Sequence, residues 1–121
     1  MTKLQLAKLR QDVRALKAHR TALEYVAMGP HQMVAASLIE RHFRPGAPAA
    51  YYLSVPSPQT SRHRYVRKAD VDLMRRQTGA WREFSQAMAE WVRINTEIER
   101  LLRALGRGRC RKIEMRPRGR R

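Results

Sequence analysis

The segment SRHRYVRKADVD, residues 61–72, carries side chains suited to contact with phosphate. It places basic or titratable side chains around a single aromatic residue, Tyr65: Arg62, His63, Arg64, Arg67 and Lys68. Guanidinium and ammonium groups donate charge-assisted hydrogen bonds to phosphate oxygens. The pattern predicts that the four permanent cations of this segment, Arg62, Arg64, Arg67 and Lys68, bind nucleic acid.

A second basic segment, GRGRCRKIEMRPRGRR, occupies residues 106–121. Its glycines and proline disfavour a regular helix, so we expect a disordered basic tail that gains order on a phosphate backbone. The predicted contacts in this tail are Arg107, Arg109, Arg111, Lys112, Arg116, Arg118, Arg120 and Arg121.

The whole chain shares this charge imbalance. Its 121 residues include 26 Lys and Arg against 10 Asp and Glu, which gives a formal net charge of +16. Such an excess costs self-repulsion in the folded state, and a polyanionic partner would neutralise it. Nucleic acid is the first candidate partner and an anionic membrane surface is the second.

Catalytic and metal-binding patterns are absent from the sequence. The acidic residues are scattered, and Asp70 and Asp72 are explained by their preference for the start of a helix. The four histidines show no ligand spacing, and the single cysteine, Cys110, rules out a disulfide within the chain and a Cys-based zinc site. We therefore expect a protein that is not an enzyme and has no metal and no cofactor.

The hydropathy of the chain bears on its location. The first residues, MTKLQLAKLRQDVRALK, are charged throughout, and no stretch approaches the roughly 20 apolar residues of a membrane span. The sequence predicts a cytoplasmic protein without a membrane partner.

Two long amphipathic helices are predicted to position the basic segments. The first covers residues 3–28 and the second starts at Asp70 and covers about 36 residues. Apolar residues at alternating spacings of three and four form a seam on each helix, with Arg20 and Asn95 as the polar members. The seam residues are Leu6, Leu9, Val13, Leu16, Arg20 and Leu23 on the first helix, and Met74, Trp81, Phe84, Met88, Trp91, Asn95, Ile98, Leu102 and Leu105 on the second, where Ile94 and Leu101 widen the seam.

Three short antiparallel strands are predicted between the helices, within residues 33–43, 49–55 and 62–68. Proline- and glycine-containing turns at 44–48 and 56–61 separate them. The predicted fold class is α+β: an antiparallel helical hairpin with a small three-stranded antiparallel sheet between its helices. One α-β-β-β-α domain covers residues 1–105, the basic tail covers 106–121, and a dimer through the helices stays open.

The two faces of the third strand carry different residues. Period two places Arg62, Arg64 and Val66 on one face, and His63, Tyr65 and Arg67 on the other. Because a helical pair covers only one face of the sheet, we expect Arg62 and Arg64 on the open face, where a β-ribbon can enter the major groove of DNA. Alternatively, tyrosines stack on single-stranded bases: Tyr51, Tyr52 and Tyr65.

Several segments resemble a family of small prokaryotic proteins known only as a domain of unknown function: SLIERHFRPG, AAYYLSV, RHRYVRKADVDLMRR and INTEIERLLRAL. That family has the order GSL-x-x-R-Y, a Cys-rich turn, GPYYYLS, RYV and a long C-terminal helix. The resemblance covers residues 30–105 and is most specific at 51–54 and 64–66. Genes of the family often lie near transposase genes, which implies a mobile-element role, while RPGAPAAYYL replaces the Cys-rich turn and with it any metal site of the relatives.

These observations together predict a non-enzymatic nucleic-acid-binding accessory protein. It would bind DNA beside a larger transposase, recombinase or RNA-guided nuclease. One alternative is an RNA-binding subunit of a ribonucleoprotein, with a ribosome-associated protein as a less favoured variant. The other is a helical adaptor that docks on a larger enzyme through seam residues such as Trp81 and Trp91.

Overall fold

The structure of the chain is a computed structural model that describes residues 1–60 and 62–117. It confirms the α+β class, with two helices and a three-stranded antiparallel sheet between them in chain order. The elements are α1 (Lys3–Ala27), β1 (Ser37–Arg41), β2 (Ala50–Val55), β3 (Arg62–Val66), a short 3-10 helix (Lys68–Asp70) and α2 (Val71–Arg109).

The chain divides into two compact units. The helical unit consists of Met1–Ala22 and Trp91–Arg121, and the sheet unit consists of Leu23–Glu90. Both helices contribute residues to both units, because each helix runs through a unit boundary.

Within the helical unit, the two helix segments run antiparallel. Gly108 approaches Met1 and Leu6, whereas Arg20, near the other end of its segment, donates a hydrogen bond from Nη1 to Asn95 Oδ1 at 3.0 Å. The predicted α1 seam is confirmed in this unit, because all five of its members are buried or half-buried: Leu6, Leu9, Val13, Leu16 and Arg20. The two polar seam residues thus satisfy one another across the hairpin.

Two residues that only widen the predicted α2 seam, Ile94 and Leu101, are among its most buried members. Together with the predicted Ile98 they are buried, whereas Leu102 is 46% exposed. The most buried residues therefore follow the three-four spacing through Ile94, Ile98 and Leu101, while Asn95 stays half-buried at the edge of the seam. The physical reason is that this register is apolar throughout, and an amide at the edge keeps its hydrogen bond to Arg20 without full desolvation.

Helix α2 also extends beyond its predicted end. It continues through Gly106 and Gly108 to Arg109, so the predicted end of the helix near residue 105 is four residues too early. A helical glycine costs about 1 kcal/mol relative to alanine, and packing of this last turn against α1 offsets part of that cost. Residues 110–117 follow without regular secondary structure.

Within the sheet unit, one face of the sheet packs on the start of α2. The strand order is β1-β2-β3, and both pairings are antiparallel. Leu53 of the central strand, Val66 of β3 and Val71 of α2 form the core with Ala36. Four half-buried residues pack around them: Val34, Leu38, Tyr51 and Met74.

Polar contacts attach the segment before β1 to α2. The amide of Val34 donates to the carbonyl of Gln77 at 3.1 Å, and Gln77 Nε2 donates to Gln32 Oε1 at 3.2 Å. The buried hydroxyl of Thr78 donates to the carbonyl of Met74 at 2.7 Å, so this polar group is satisfied inside its own helix. The first two bonds join the segment before β1 to α2.

Candidate nucleic-acid interface

The covered face of the sheet includes Arg62 and Arg64. Arg64 pairs with the buried Leu53, and alternation places Arg62 and the buried Val66 on the same face as Arg64. The prediction that Arg62 and Arg64 stand on the open face is therefore wrong. Val66 decides which face of β3 is covered, because its burial is more favourable in free energy than that of Arg62 or Arg64. Both arginines stay exposed, since β3 is an edge strand.

The open face carries an aromatic cluster instead. Tyr52 and Tyr65 are partners in the β2–β3 register, and Ile39 of β1 pairs with Tyr52 in the same row. Phe43 follows two residues after Arg41 and reaches the ring of Tyr52. We use the term open face for this side of the sheet, which consists of Ser37, Ile39, Arg41, Ala50, Tyr52, Ser54, His63 and Tyr65 in the strands together with Phe43.

Tyr52 is the centre of this cluster. Its ring centroid lies 6.5 Å from that of Phe43 and 5.7 Å from that of Tyr65, and both pairs have edge-to-face geometry. The guanidinium carbon of Arg41 lies 5.6 Å from the centroid of the Tyr52 ring. Tyr52 is half-buried by these neighbours, whereas Phe43 is 68% exposed and Tyr65 is 59% exposed.

The same arginine also contacts the imidazole of His63. Arg41 Nη2 donates to His63 Nδ1 at 3.3 Å. Because a guanidinium has no acceptor, Nδ1 must be the unprotonated nitrogen in this geometry, and Nε2 carries the ring hydrogen. The Arg41 side chain is thus held across the face by an aromatic ring and an imidazole.

Arg67 and Lys68 lie just beyond β3. Arg67 has extended backbone (φ −64°, ψ 145°), so it follows His63 and Tyr65 in the alternation, and its Nε lies 3.7 Å from Asp70 Oδ2. Lys68 lines a cleft of about 290 Å³ beside Tyr65. Of the four cations predicted in this segment, these two are therefore the ones brought near the open face.

The balance of charge differs sharply between the two units. The helical unit has 17 Lys and Arg against four Asp and Glu, a formal charge of +13. The sheet unit has nine against six, a formal charge of +3. Most of the net charge therefore belongs to the helical unit, a distribution that the local motif at 61–72 does not reveal.

Cations in the helical unit form rows along its helices. Lys3, Arg10 and Lys17 are exposed and follow one another at seven-residue spacing, which places them on one side of α1 about 10 Å apart. Three arginines of α2 have the same spacing: Arg93, Arg100 and Arg107.

Ion pairs neutralise only part of this charge. Lys8 Nζ lies 2.9 Å from Asp12 Oδ1, and Arg103 Nη2 lies 3.3 Å from Glu99 Oε1. A two-point hydrogen bond from Arg100 lowers the pKa of Glu97 and raises the pKa of Arg100 itself. These pairs are solvent-exposed, so each contributes little to stability.

The predicted tail contacts divide into three groups. Arg107 and Arg109 lie in the last turn of α2, where cations are favourable beside the free carbonyl groups. Arg111, Lys112 and Arg116 are exposed beyond the helix. Arg118, Arg120 and Arg121 lie outside the described residues.

Three further observations on the described residues bear on other functional classes. Within residues 1–60 and 62–117, no three His, Cys, Asp or Glu side chains come together in a way that could hold a metal ion. Over the same residues, neither helix combines the length and the apolar character needed to cross a membrane. Trp81 and Trp91, the proposed docking residues of an adaptor, are both half-buried.

Comparisons of the chain with protein-family models, with curated proteins and with solved structures found no match. The resemblance of residues 30–105 to a prokaryotic family thus stays a prediction from the sequence.

Two residues of the open face were missed by sequence reasoning. Arg41 and Phe43 belong to the segment SLIERHF, whose alternation places Ser37, Ile39 and Arg41 on one face. That alternation was visible in the sequence, but the pairing of Ile39 with Tyr52 was not. Only the register brings the two missed residues to the tyrosines.

Proposed function

We propose that this chain binds nucleic acid and does not act as an enzyme. The observation that carries the proposal is the formal charge of +13 in the helical unit. Its four acidic residues can balance at most four of its 17 cations, so a formal excess of +13 remains in that unit. Nucleic acid supplies the missing counter-charge as a dense row of phosphates, and binding gains from the release of the counterions condensed on it.

Nucleic acid fits these surfaces better than an anionic membrane. A helix that lies in a membrane interface inserts a wide apolar face between lipids. The apolar seam of α1 is instead occupied by α2 within the helical unit, and the cations stand on its flanks. The aromatic open face of the sheet unit adds groups that favour bases over lipid headgroups.

An accessory role beside a transposase, recombinase or RNA-guided nuclease is part of this proposal. It comes from the sequence resemblance and suits a small binding protein. The adaptor alternative loses support, because Trp81 and Trp91 are half-buried. The ring of Trp81 also stacks within its own helix on Phe84, with centroids 5.7 Å apart.

The proposal is tested by titrating the full chain into labelled duplex DNA and into labelled single strands while the salt concentration is varied. If about eight phosphates are neutralised, log K falls against log salt with a slope near −7 for duplex DNA and near −6 for a single strand. Anionic vesicles serve as the comparison polyanion. The proposal is wrong if no DNA or RNA is retarded at about 50 mM salt, where phosphate contacts are strongest.

A further inference from the structure

We propose that the open face of the sheet stacks on unpaired bases, so that the chain prefers single-stranded segments of nucleic acid. This inference rests on the proposed function, because the cations supply general affinity and the open face adds selectivity. The ligand is a run of bases whose ring faces are free, whether the sugar is ribose or deoxyribose. The central residues are Tyr52, Tyr65 and Phe43.

Two aromatic rings of the open face are exposed to solvent. Phe43 and Tyr65 present 68% and 59% of their surface to solvent, although each touches the ring of Tyr52. The edge-to-face contacts hold these side chains over the sheet, so little conformational entropy remains to be lost when a base stacks on them. A fixed, exposed ring on a sheet is the usual element of base-stacking surfaces.

The open face also carries a cation and no acidic residue within the described strands. Of the eight strand residues on this face within the described chain, none is acidic: Ser37, Ile39, Arg41, Ala50, Tyr52, Ser54, His63 and Tyr65. Glu40, the one acidic residue in the strands, belongs to the covered face and accepts a hydrogen bond from the hydroxyl of Tyr51 at 3.3 Å. A phosphate backbone that crosses the open face therefore meets Arg41 without a carboxylate beside it.

A cleft next to Tyr65 offers a place for a base. It has a volume of about 290 Å³, and its lining joins Ala50 and Tyr65 of the open face to Tyr51 and Val66 of the covered face, with Lys68 beside them, so it lies at the end of the β2–β3 pair. Its aromatic and aliphatic lining residues can contact a planar base, and Lys68 adds a cation to the same lining.

Duplex DNA does not fit this face in the same way. In a duplex the ring faces of the bases are covered by their stacked neighbours, and only their edges are offered in the grooves. A sheet that enters the major groove needs long hydrogen-bonding side chains in the middle of the presented face. Arg62 and Arg64 would have met that need, but they belong to the covered face.

The experiment compares three kinds of probe of equal length on the full chain, by fluorescence anisotropy at one fixed salt concentration. They are single strands of about 12 nucleotides, as oligo(U) and oligo(dT), an abasic strand of the same length, and a duplex. We expect each single strand to bind at least about fivefold more tightly than the abasic strand. The ratio of oligo(U) to oligo(dT) shows whether the 2′-hydroxyl contributes, and either ratio is compatible with stacking.

Variants locate the effect. Tyr65→Leu should weaken single-strand binding by at least about fivefold and leave duplex binding unchanged, whereas Tyr65→Phe should retain wild-type affinity. Tyr25→Leu is the matched control, because Tyr25 is an exposed tyrosine, at 81%, that belongs to α1 and to none of the strands. Because Tyr65 is exposed, its replacement should leave the circular dichroism spectrum unchanged.

The outcomes separate the two proposals. Equal binding of base-containing and abasic strands overturns the stacking inference and leaves the proposed function standing, because phosphate contacts alone would explain the affinity. An equal loss of single-strand and duplex binding in Tyr65→Leu also overturns it. Failure of every probe to bind overturns the proposed function as well.

Discussion

The helical unit and the sheet unit differ in their balance of charge and in the kind of residue that they expose. The helical unit carries 17 cations against four acids, placed on the flanks of an apolar seam. The sheet unit is closer to balance, with nine against six, and its distinctive exposed feature is aromatic. The difference assigns the two proposed contributions, general affinity for phosphate and preference for unpaired bases, to separate units of the chain.

Folding alone explains neither exposed surface. The seam of the helical unit needs Val13, Ile94, Ile98 and Leu101 but none of the flanking arginines. The core of the sheet unit needs Leu53 and its neighbours, whereas Tyr65 lies on the other side of the sheet. In both units, the residues that we propose to contact nucleic acid lie outside the core.

The largest expected effect comes from removing cations from the helical unit, which carries most of the net charge. Replacing Lys3, Arg10 and Lys17 by Gln should make the slope of log K against log salt shallower by about 2 to 3 and weaken binding by on the order of 100-fold at low salt. These cations form one exposed row, so a phosphate backbone can contact all three. Titration of the same duplex at several salt concentrations measures both quantities.

The matched control neutralises three cations of the sheet unit that lie away from its open face, Arg62, Arg64 and Arg76. We expect its slope to change by less than about 1. Equal slopes for the two triple variants would mean that the division between the units does not govern binding.

Much of this comparison could be predicted from the sequence, and the reasons are local. The α1 seam followed from spacings of three and four, and the strands followed from alternation between turns. Both signals are fixed by backbone geometry within a few residues. Arg20 and Asn95 were likewise recognised as the polar exceptions in their seams, although their mutual hydrogen bond was not.

The remaining features depended on choices that involve distant residues. Which face of β3 is covered depends on whether Val66 or Tyr65 contributes more to a core with Leu53 and Val71, and alternation leaves both faces possible. The α2 register was ambiguous because Leu101 and Leu102 are adjacent leucines. The last turn of α2 was missed, since local propensity penalises its glycines while the packing partner near Gly108 is at the other end of the chain.

A smaller effect should come from the two adjacent leucines of α2. Leu101→Ala should lower the free energy of unfolding by about 2 to 4 kcal/mol, because Leu101 is buried in the helical unit. Leu102→Ala should cost less than about 1 kcal/mol, because Leu102 is 46% exposed. Urea denaturation followed by circular dichroism measures both. The reverse order would restore the seam that the sequence alone predicted.

The close approach at the end of the helical unit predicts a still smaller difference. A methyl group at Gly108 would lie 2.6 Å from Met1 Sδ and 2.9 Å from Leu6 Cδ2, whereas one at Gly106 meets nothing within 4 Å. Both substitutions gain helix propensity, but only the methyl group at position 108 is crowded. Gly106→Ala should therefore give the more stable protein, by about 1 kcal/mol. Thermal unfolding of the two variants provides the test. Equal stability would show that Met1 and Leu6 yield without cost.

The smallest effect should come from the ion pair between Glu97 and Arg100. The hydrogen bond from Arg100 lowers the pKa of Glu97 in the folded state. The ion pair therefore stabilises the fold fully above the pKa that Glu97 has in the unfolded chain. This stabilisation is lost as the pH falls through the lower pKa that Glu97 has in the folded protein. Glu97→Gln should therefore lower the thermal midpoint slightly at neutral pH, and the difference from wild type should vanish in acid. Arg100→Gln should behave similarly at neutral pH, because it removes the same pair. Since both side chains are exposed, high salt should remove the difference, and a large effect that survives salt would mean that the pair is shielded from water.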